Sequence, residues 1–327
     1  MSDTLPKLLQ EIHSIETASE LNTKISDFES RISAILSASP DQKNYYINHT
    51  GRELYRKLYN FGLDNLISYS YDSGFRPNLP NWSPSEISTA AWFDGSDLQT
   101  ITSSENIVSN LNDKSGNSVN LTVPATNTGP KTGTRTLNDL NVIEWDTAGQ
   151  LLENTSFSHD QANNALYLAI VFSVDVNGLQ DFLFAGTDSA APGNRMAVRR
   201  NAANSSMQIL GGSGTGSNIN LQTSVNSCPE GDDYIVLLKL NSATSEIRIN
   251  GSSEKTGNIG TNTLENFTIG GNALGSQNID GYIAEFVTFL DPNEEEIEGY
   301  LAHKWGLESK LPSLHPYKKV NPFIFDV

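Results

Sequence analysis

A single cysteine, Cys228, stands in the 327 residues of this chain. No intrachain disulfide can form, and thiolate metal sites are excluded. No apolar run approaches the ~18 to 20 residues needed to cross a bilayer. The opening MSDTLPKLLQEIH lacks the basic start and apolar middle of an export signal. The expectation is a protein without a signal peptide or membrane insertion, made and kept in a cytoplasm or assembled there into something larger. Basic residues are also scarce: 21 Lys and Arg face 38 Asp and Glu, a net charge of −17. Residues 1–60 hold 7 basic and 8 acidic side chains, and the remainder holds 14 against 30. An acidic body repels phosphate backbones and argues against nucleic acid as a partner. The five histidines are scattered, with no His-x-x-x-His or His-Glu pair. Gly-rich GGSGTGSN (211–218) lacks the Lys and the following helix of a phosphate loop.

What is present divides in two. Near the start, apolar residues recur in steps of three and four: Leu5, Leu8, Ile12, Ile15, Ala18, Leu21, Ile25, Phe28, Ile32 and Ile35. This predicts a long coiled-coil-like helix, roughly 45 to 50 Å at 1.5 Å per residue, with a stammer near Ala18. One helix cannot bury such a seam alone. Either it folds back on its own chain, or Leu8, Ile12, Ile15, Leu21, Ile25, Phe28, Ile32 and Ile35 form an oligomerisation seam, a trimer favoured. Pro40 ends this segment. A second amphipathic helix is expected from about Thr50, with Leu54, Leu58, Phe61 and Leu66 on one side. GFRPNLPNWSP (74–84) then reads as an extended linker.

From about Ile87 short β-like runs alternate with Gly, Asn, Ser and Asp turns. They include STAAWFDG (88–95), NVIEWD (141–146), ALYLAIVFSV (165–174), DFLFAG (181–186), RMAVRR (195–200), SMQILG (206–211), YIVLLKL (234–240), SEIRING (245–251), ENFTIGG (265–271) and YIAEFVTFL (282–290). Such spacing indicates an all-β sandwich.

Five stretches, in order, carry a family resemblance: NWSPSEISTAAWFDGSD, VSNLNDKSGNSVNLT, NVIEWDTAGQLLEN, ENFTIGG with NIDGYIAEFVTF, and DPNEEEIEGYLAHKWGLESKLPSLHPY. The chain resembles the laminin-G-like, concanavalin A-like jelly-roll domains of marine bacterial surface proteins and phage structural proteins, over about residues 82–317. The implied fold is all-β, a two-sheet antiparallel jelly-roll sandwich preceded by the helical N-terminal region. The expected organisation is a helical assembly region at 1–73, a Pro-rich linker at 74–86, and a jelly roll at 87–327 with a clasp helix at about 292–306 and a tail. Many members of that superfamily bind glycans and some hydrolyse them. β-Glucan hydrolases on this fold carry Glu-x-Asp-x-x-Glu on one strand, where alternate side chains share a face. Here the pattern runs Glu144, Asp146, then Gly149, so the proton donor is missing and no hydrolysis is expected.

Binding residues are expected in turns and loops. Asp146, Asp188, Asn194, Arg195 and Arg199 are the glycan-binding candidates. Arg195, Arg199 and Arg200 form the only local basic cluster of the acidic body, and pairing with neighbouring acids is the competing reading. Calcium is the one cofactor considered, on Asp94, Asp97, Asn112 and Asp113; turn chemistry explains these residues equally well. The expected function is a non-catalytic phage virion protein, a fibre or a capsid or tail decoration. It would form a homo-oligomer, dock on other virion proteins and display a head for a host-surface glycan. The competing reading is a bacterial carbohydrate-binding or polysaccharide-degrading protein.

IEGYLAHKWGL (297–307) looks like a cluster of reactive groups but reads as punctuation of a helix. Asp291 is the expected N-cap and Gly306 the expected stop. Ile297, Tyr300, Leu301 and Trp305 share one face and should bury against the sandwich as a structural clasp.

Overall fold

A computed structural model of the chain describes residues 4–38, 54, 83–175, 181–186, 196–212, 218–272 and 277–318. The chain divides into two compact units, Met1–Trp82 with Pro316–Val327, and Ser83–His315.

In the first unit the helical seam is split. Helix α1 (Leu5–His13) ends, and helix α2 (Ala18–Ala38) begins after a break. Thr17 causes it: its hydroxyl accepts from the Glu20 amide at 3.2 Å and its carbonyl from the Leu21 amide at 3.1 Å. A Thr cap at this point competes with continued helix. The expected continuous helix is thereby corrected to two helices, and the stammer near Ala18 is the capped start of the second. Arg31 on α2 reaches back to Glu11 on α1 with two nitrogens, at 2.8 and 2.9 Å, so the chain folds back on itself. Leu8, Ile12, Ile15, Leu21, Ile25, Phe28 and Ile32 are buried within a single chain, and Ile35 is half-buried. Of the expected second helix only Leu54 is described, helical and buried; Leu58, Phe61 and Leu66 lie outside the described residues, as does the linker up to residue 82.

The second unit is a two-sheet antiparallel β-sandwich. In chain order its strands are β1 (Thr89–Asp94), β2 (Ile101–Ser104), β3 (Ile107–Leu111), β4 (Leu121–Thr122), β5 (Thr136–Leu137), β6 (Leu140–Asn141), β7 (Ile143–Trp145), β8 (Leu152–His159) and β9 (Leu166–Val174). There follow β10 (Asp181–Ala185), β11 (Ala197–Asn201), β12 (Ser206–Gly212), β13 (Asn218–Gln222), β14 (Asp233–Leu240), β15 (Ser245–Ile249), β16 (Ser252–Gly257), β17 (Leu264–Ile269) and β18 (Gly281–Phe289). One sheet has seven strands in the order β1-β18-β9-β14-β15-β16, with β7 also on β18. The other has nine, in the order β13-β12-β11-β10-β17-β8-β4-β3-β2. β5 and β6 form a separate hairpin. All ten runs read from the sequence fall on strands.

Period-two alternation sends Leu166, Leu168, Ile170, Phe172 and Val174 of β9 into the core between the sheets. The intervening Tyr167, Ala169, Val171 and Ser173 are buried too, because helix α3 (Glu294–Lys304) lies over β9 and β14. A strand covered on both faces reads as an unbroken apolar run. Ile297, Tyr300, Leu301 and Trp305 are all buried. The expected cap does not form. The helix starts at Glu294 behind Asn293, without a side-chain cap bond, and Asp291 instead accepts from the Ser88 amide at 2.8 Å. Three glutamates in the first turn face the positive end of the helix dipole. Gly306 sits at φ +70° and the Leu307 amide donates to Ala302 O at 2.7 Å, which closes the helix as expected. The tail is pinned as well. Glu298, buried on α3, accepts from Arg248 at 2.7 and 2.8 Å and lies 3.2 Å from His315 Nε2.

Candidate functional site

The hydrolytic pattern comes apart in space. β7 ends at Trp145, so Glu144 lies on a strand but Asp146 and Gly149 lie in the following turn. Gln150 organises that turn by accepting from the amides of Asp146 and Thr147 at 2.8 and 3.1 Å. Asp146 is paired with Lys131, which holds its carboxyl below the usual range. Glu144 lies 3.9 Å from Arg135. Each of these carboxylates faces a cation of the same chain, and Gly149 supplies no third carboxylate to the pattern.

The four calcium candidates have other occupations. Asp94 is buried between two lysines, with Lys114 and Lys304 each at 2.8 Å. Asp97 takes the same Lys114 at 2.8 Å and accepts from the Gln99 amide at 3.2 Å. Asp113 accepts from the amides of Trp92, Ser115 and Val119 at 2.9, 2.8 and 3.0 Å. Asn112 accepts from Asn110 at 2.7 Å. Among the described residues no group of three or more His, Cys, Asp or Glu is arranged to hold a metal ion.

Asp94 belongs to a buried network that the sequence reading did not assemble. Glu285, fully enclosed on β18, accepts from Trp92 Nε1 at 2.7 Å, Tyr300 Oη at 2.9 Å, Trp305 Nε1 at 2.8 Å and Lys304 Nζ at 2.7 Å. Lys304 bridges it to Asp94, and Lys114 stands over the Trp92 ring at 4.4 Å. Burial pushes the Glu285 carboxyl up, against the pull of Lys304. Burial acts the same way on Asp94, but there Lys304 and Lys114 outweigh it and hold the carboxyl down to about 2. A carboxyl held below its unfolded value stabilises the fold above that value, and the contribution fades as pH falls through the folded one. Here it is complete above pH ~4 and lost toward pH ~2, a span of about 2 kcal/mol. Asp94→Asn should therefore lower stability at neutral pH and flatten the acid limb between those pH values, read by chemical denaturation across pH. Parallel acid limbs in the two proteins would rule this out. One signal was in the sequence: Glu285 is the only charged residue in the apolar run YIAEFVTFL.

Of the glycan candidates, Asp188, Asn194 and Arg195 lie outside the described residues. Arg200 is buried and paired with Asp181 and Glu230, both at 3.0 Å, as the competing reading of the basic cluster expects. Burial still pushes Asp181 up to about 6, against the pull of Arg200. Arg199 is different. Val198, Ile209 and Leu221 belong to the core between the sheets, so Arg199, Gln208 and Gln222 project from the opposite face of the nine-stranded sheet. Strand register sets Phe182, Arg199, Gln208 and Gln222 side by side across β10 to β13. The Arg199 guanidinium lies 5.6 Å from the Phe182 ring centre, and its Nε donates to Gln208 Oε1 at 2.7 Å. Gln208 donates to Gln222 at 2.6 Å and Gln222 to Ser206 at 2.9 Å. Ser206 donates to Asn204 at 2.6 Å. The result is a continuous row of planar donors and acceptors held by strands. Arg199 and Gln222 are half-buried and the neighbouring Asn220 is exposed, while Gln208 and Phe182 are buried. Sequence reasoning missed Gln208 and Gln222, since their pairing depends on cross-strand register.

No family model and no curated protein matches the chain. Among solved structures, Trypanosoma rangeli sialidase in complex with 2,3-difluorosialic acid aligns at 12% identity and TM-score 0.42, covering 62% of this chain and 31% of that one. Domain 4 of AbnA, a GH43 extracellular arabinanase from Geobacillus stearothermophilus, in complex with arabinotriose, aligns at 13% identity and TM-score 0.45, covering 62% of this chain and 92% of that domain. The binding domain of botulinum neurotoxin DC in complex with rat synaptotagmin II aligns at 12% identity and TM-score 0.45, covering 66% and 51%. The chain spans about a third of the sialidase's length. Its own strand pairing makes it a two-sheet antiparallel β-sandwich with a helical N-terminal unit.

Proposed function

We propose that this chain is a non-catalytic glycan-binding protein whose jelly-roll sandwich reads sugar through the Arg199 face. The single observation that supports it is the row across three strands on the face turned away from the core, in which the half-buried Arg199 and Gln222 are held in place by the buried Gln208 between them. Planar amide and guanidinium groups match the paired donors and acceptors of sugar hydroxyls, and rigid strands lower the entropy cost of ordering them. The laminin-G-like resemblance is what supports the further proposal of a phage fibre or decoration protein that forms a homo-oligomer through its N-terminal unit. Glycan-array binding should be present in the full chain and fall at least tenfold in Arg199→Ala, the loss of a charge-assisted hydrogen bond worth about 1.5 to 3 kcal/mol. A blank array, or an Arg199→Ala protein that binds as before, ends the glycan assignment. Depolymerisation of a polysaccharide by the purified chain would instead favour a bacterial carbohydrate-active protein. Light scattering tests assembly: a monomer that stays monomeric when residues 1–80 are deleted ends the oligomer assignment.

A further inference from the structure

The strand-end hairpin β5–β6 forms one wall of an open cleft of about 500 Å³, within the ~300 to 1,000 Å³ usual for small-molecule sites. None of the Arg199 row lines it. Its walls are Ser96 and Leu98 on one side and Thr134, Arg135, Thr136 and Asp139 on the other, with Asn141 at their junction. The walls are fixed to each other. Asn141 donates to Gly95 O at 2.6 Å and to Thr132 at 3.0 Å, and accepts from the Gly133 amide at 2.7 Å. Asn138 and Asp139 both hold the left-handed conformation, with φ +49° and +60°, as a two-residue turn of this twist requires. The Asn138 amide then donates to Lys304 O at 2.9 Å, which ties the hairpin to the clasp helix.

Its charge is one-sided. Arg135 is committed to Asp175 by two bonds at 2.9 and 3.0 Å and lies 4.6 Å over the Tyr282 ring, with Glu144 at 3.9 Å. The Asp139 carboxylate has no partner among the described residues, and neither do the hydroxyls of Thr134 and Thr136. Leu98, on the same lining, is 63% exposed and adds an apolar surface. The cleft thus offers an apolar patch, two hydroxyls and an uncompensated carboxylate, in a chain whose net charge of −17 repels anions.

We infer that this cleft is a second ligand site, independent of the Arg199 face, and that it takes a small polyhydroxylated molecule bearing a primary ammonium group, an amino sugar. The ammonium pairs with Asp139, ring hydroxyls meet Thr134 and Thr136, and the apolar side of the ring rests on Leu98. Binding to so open a cleft should be weak, on the order of millimolar.

The test is ligand-observed NMR and calorimetry on the full chain with glucosamine, N-acetylglucosamine and lysine methyl ester. Glucosamine should bind and N-acetylglucosamine, which lacks the ammonium, should bind at least tenfold more weakly. Asp139→Asn should abolish the difference while the thermal midpoint stays unchanged, since Asn accepts the left-handed conformation readily. Leu98→Ala should weaken glucosamine several-fold. Equal binding of the two sugars, or no binding of either, overturns the proposal. Lysine methyl ester binding as tightly as glucosamine would place the ammonium on a peptide and overturn the sugar assignment. Arg199→Ala should leave glucosamine binding intact, so this site and the Arg199 face succeed or fail separately.

Discussion

Replacing Lys304 by methionine should lower the unfolding free energy by about 3 to 5 kcal/mol, the usual cost of leaving a buried charge without its partner. Lys304 touches two enclosed carboxylates, Glu285 at 2.7 Å and Asp94 at 2.8 Å. Asp94 keeps Lys114 after the substitution. Glu285 keeps only neutral donors, the indoles of Trp92 and Trp305 and the Tyr300 hydroxyl. Methionine fills much of the lysine's volume, so the loss reports charge and not a cavity. Glu285→Gln in the Lys304→Met background should recover a good part of the loss, because a neutral amide needs no counter-charge. Urea denaturation of the four proteins of this double-mutant cycle gives the coupling directly. A loss below about 1 kcal/mol, the range of an exposed ion pair, would mean that water reaches this network.

Strands were legible where the chain buries both faces or alternates strictly. β9, and most of β14 and β18, read as apolar runs because both faces of these strands are buried, with α3 lying over β9 and β14. β2 (ITSS) and β16 (SSEKTG) were not read, since both sit at sheet edges with exposed polar side chains. There the backbone ladder alone makes the strand, and a ladder leaves no periodic trace. At the N-terminus the spacing located both helices but not the gap between them. A stammer and a capped break give the same deleted step, and only the Thr17 hydroxyl, bonded to the Glu20 amide, distinguishes them.

The candidate sites were less legible, for one physical reason: a carboxylate's role is set by what approaches it from distant parts of the chain. Asp94 ends β1, at the edge of a turn whose composition suits an ion ligand and a lysine partner equally. Lys304, from the clasp helix, decides between them. Gln208 and Gln222 look like ordinary strand polar residues until the register of β12 and β13 sets them opposite each other. The stop at Gly306 and the buried face of α3 were legible because they need only neighbours within the helix; the N-cap was not, because Ser88, distant in sequence, takes Asp291.

Trp305→Ala should cost about 3 to 5 kcal/mol, the range for truncating a buried large aromatic. The side chain is fully buried and its Nε1 donates to Glu285 at 2.8 Å, so packing and hydrogen bonding are lost together. Trp305→Phe separates them. It keeps most of the ring but removes the donor, and should cost about 1 to 3 kcal/mol for the bond left unmade. For a domain of this size, each kcal/mol lowers the thermal midpoint by about 2 to 4 °C. The alanine protein should therefore melt about 6 to 20 °C below the parent, and the phenylalanine protein between the two. Equal midpoints for the two variants would assign the whole loss to the indole N–H and leave packing no share. An alanine variant melting with the parent would mean that α3 does not clasp the sandwich.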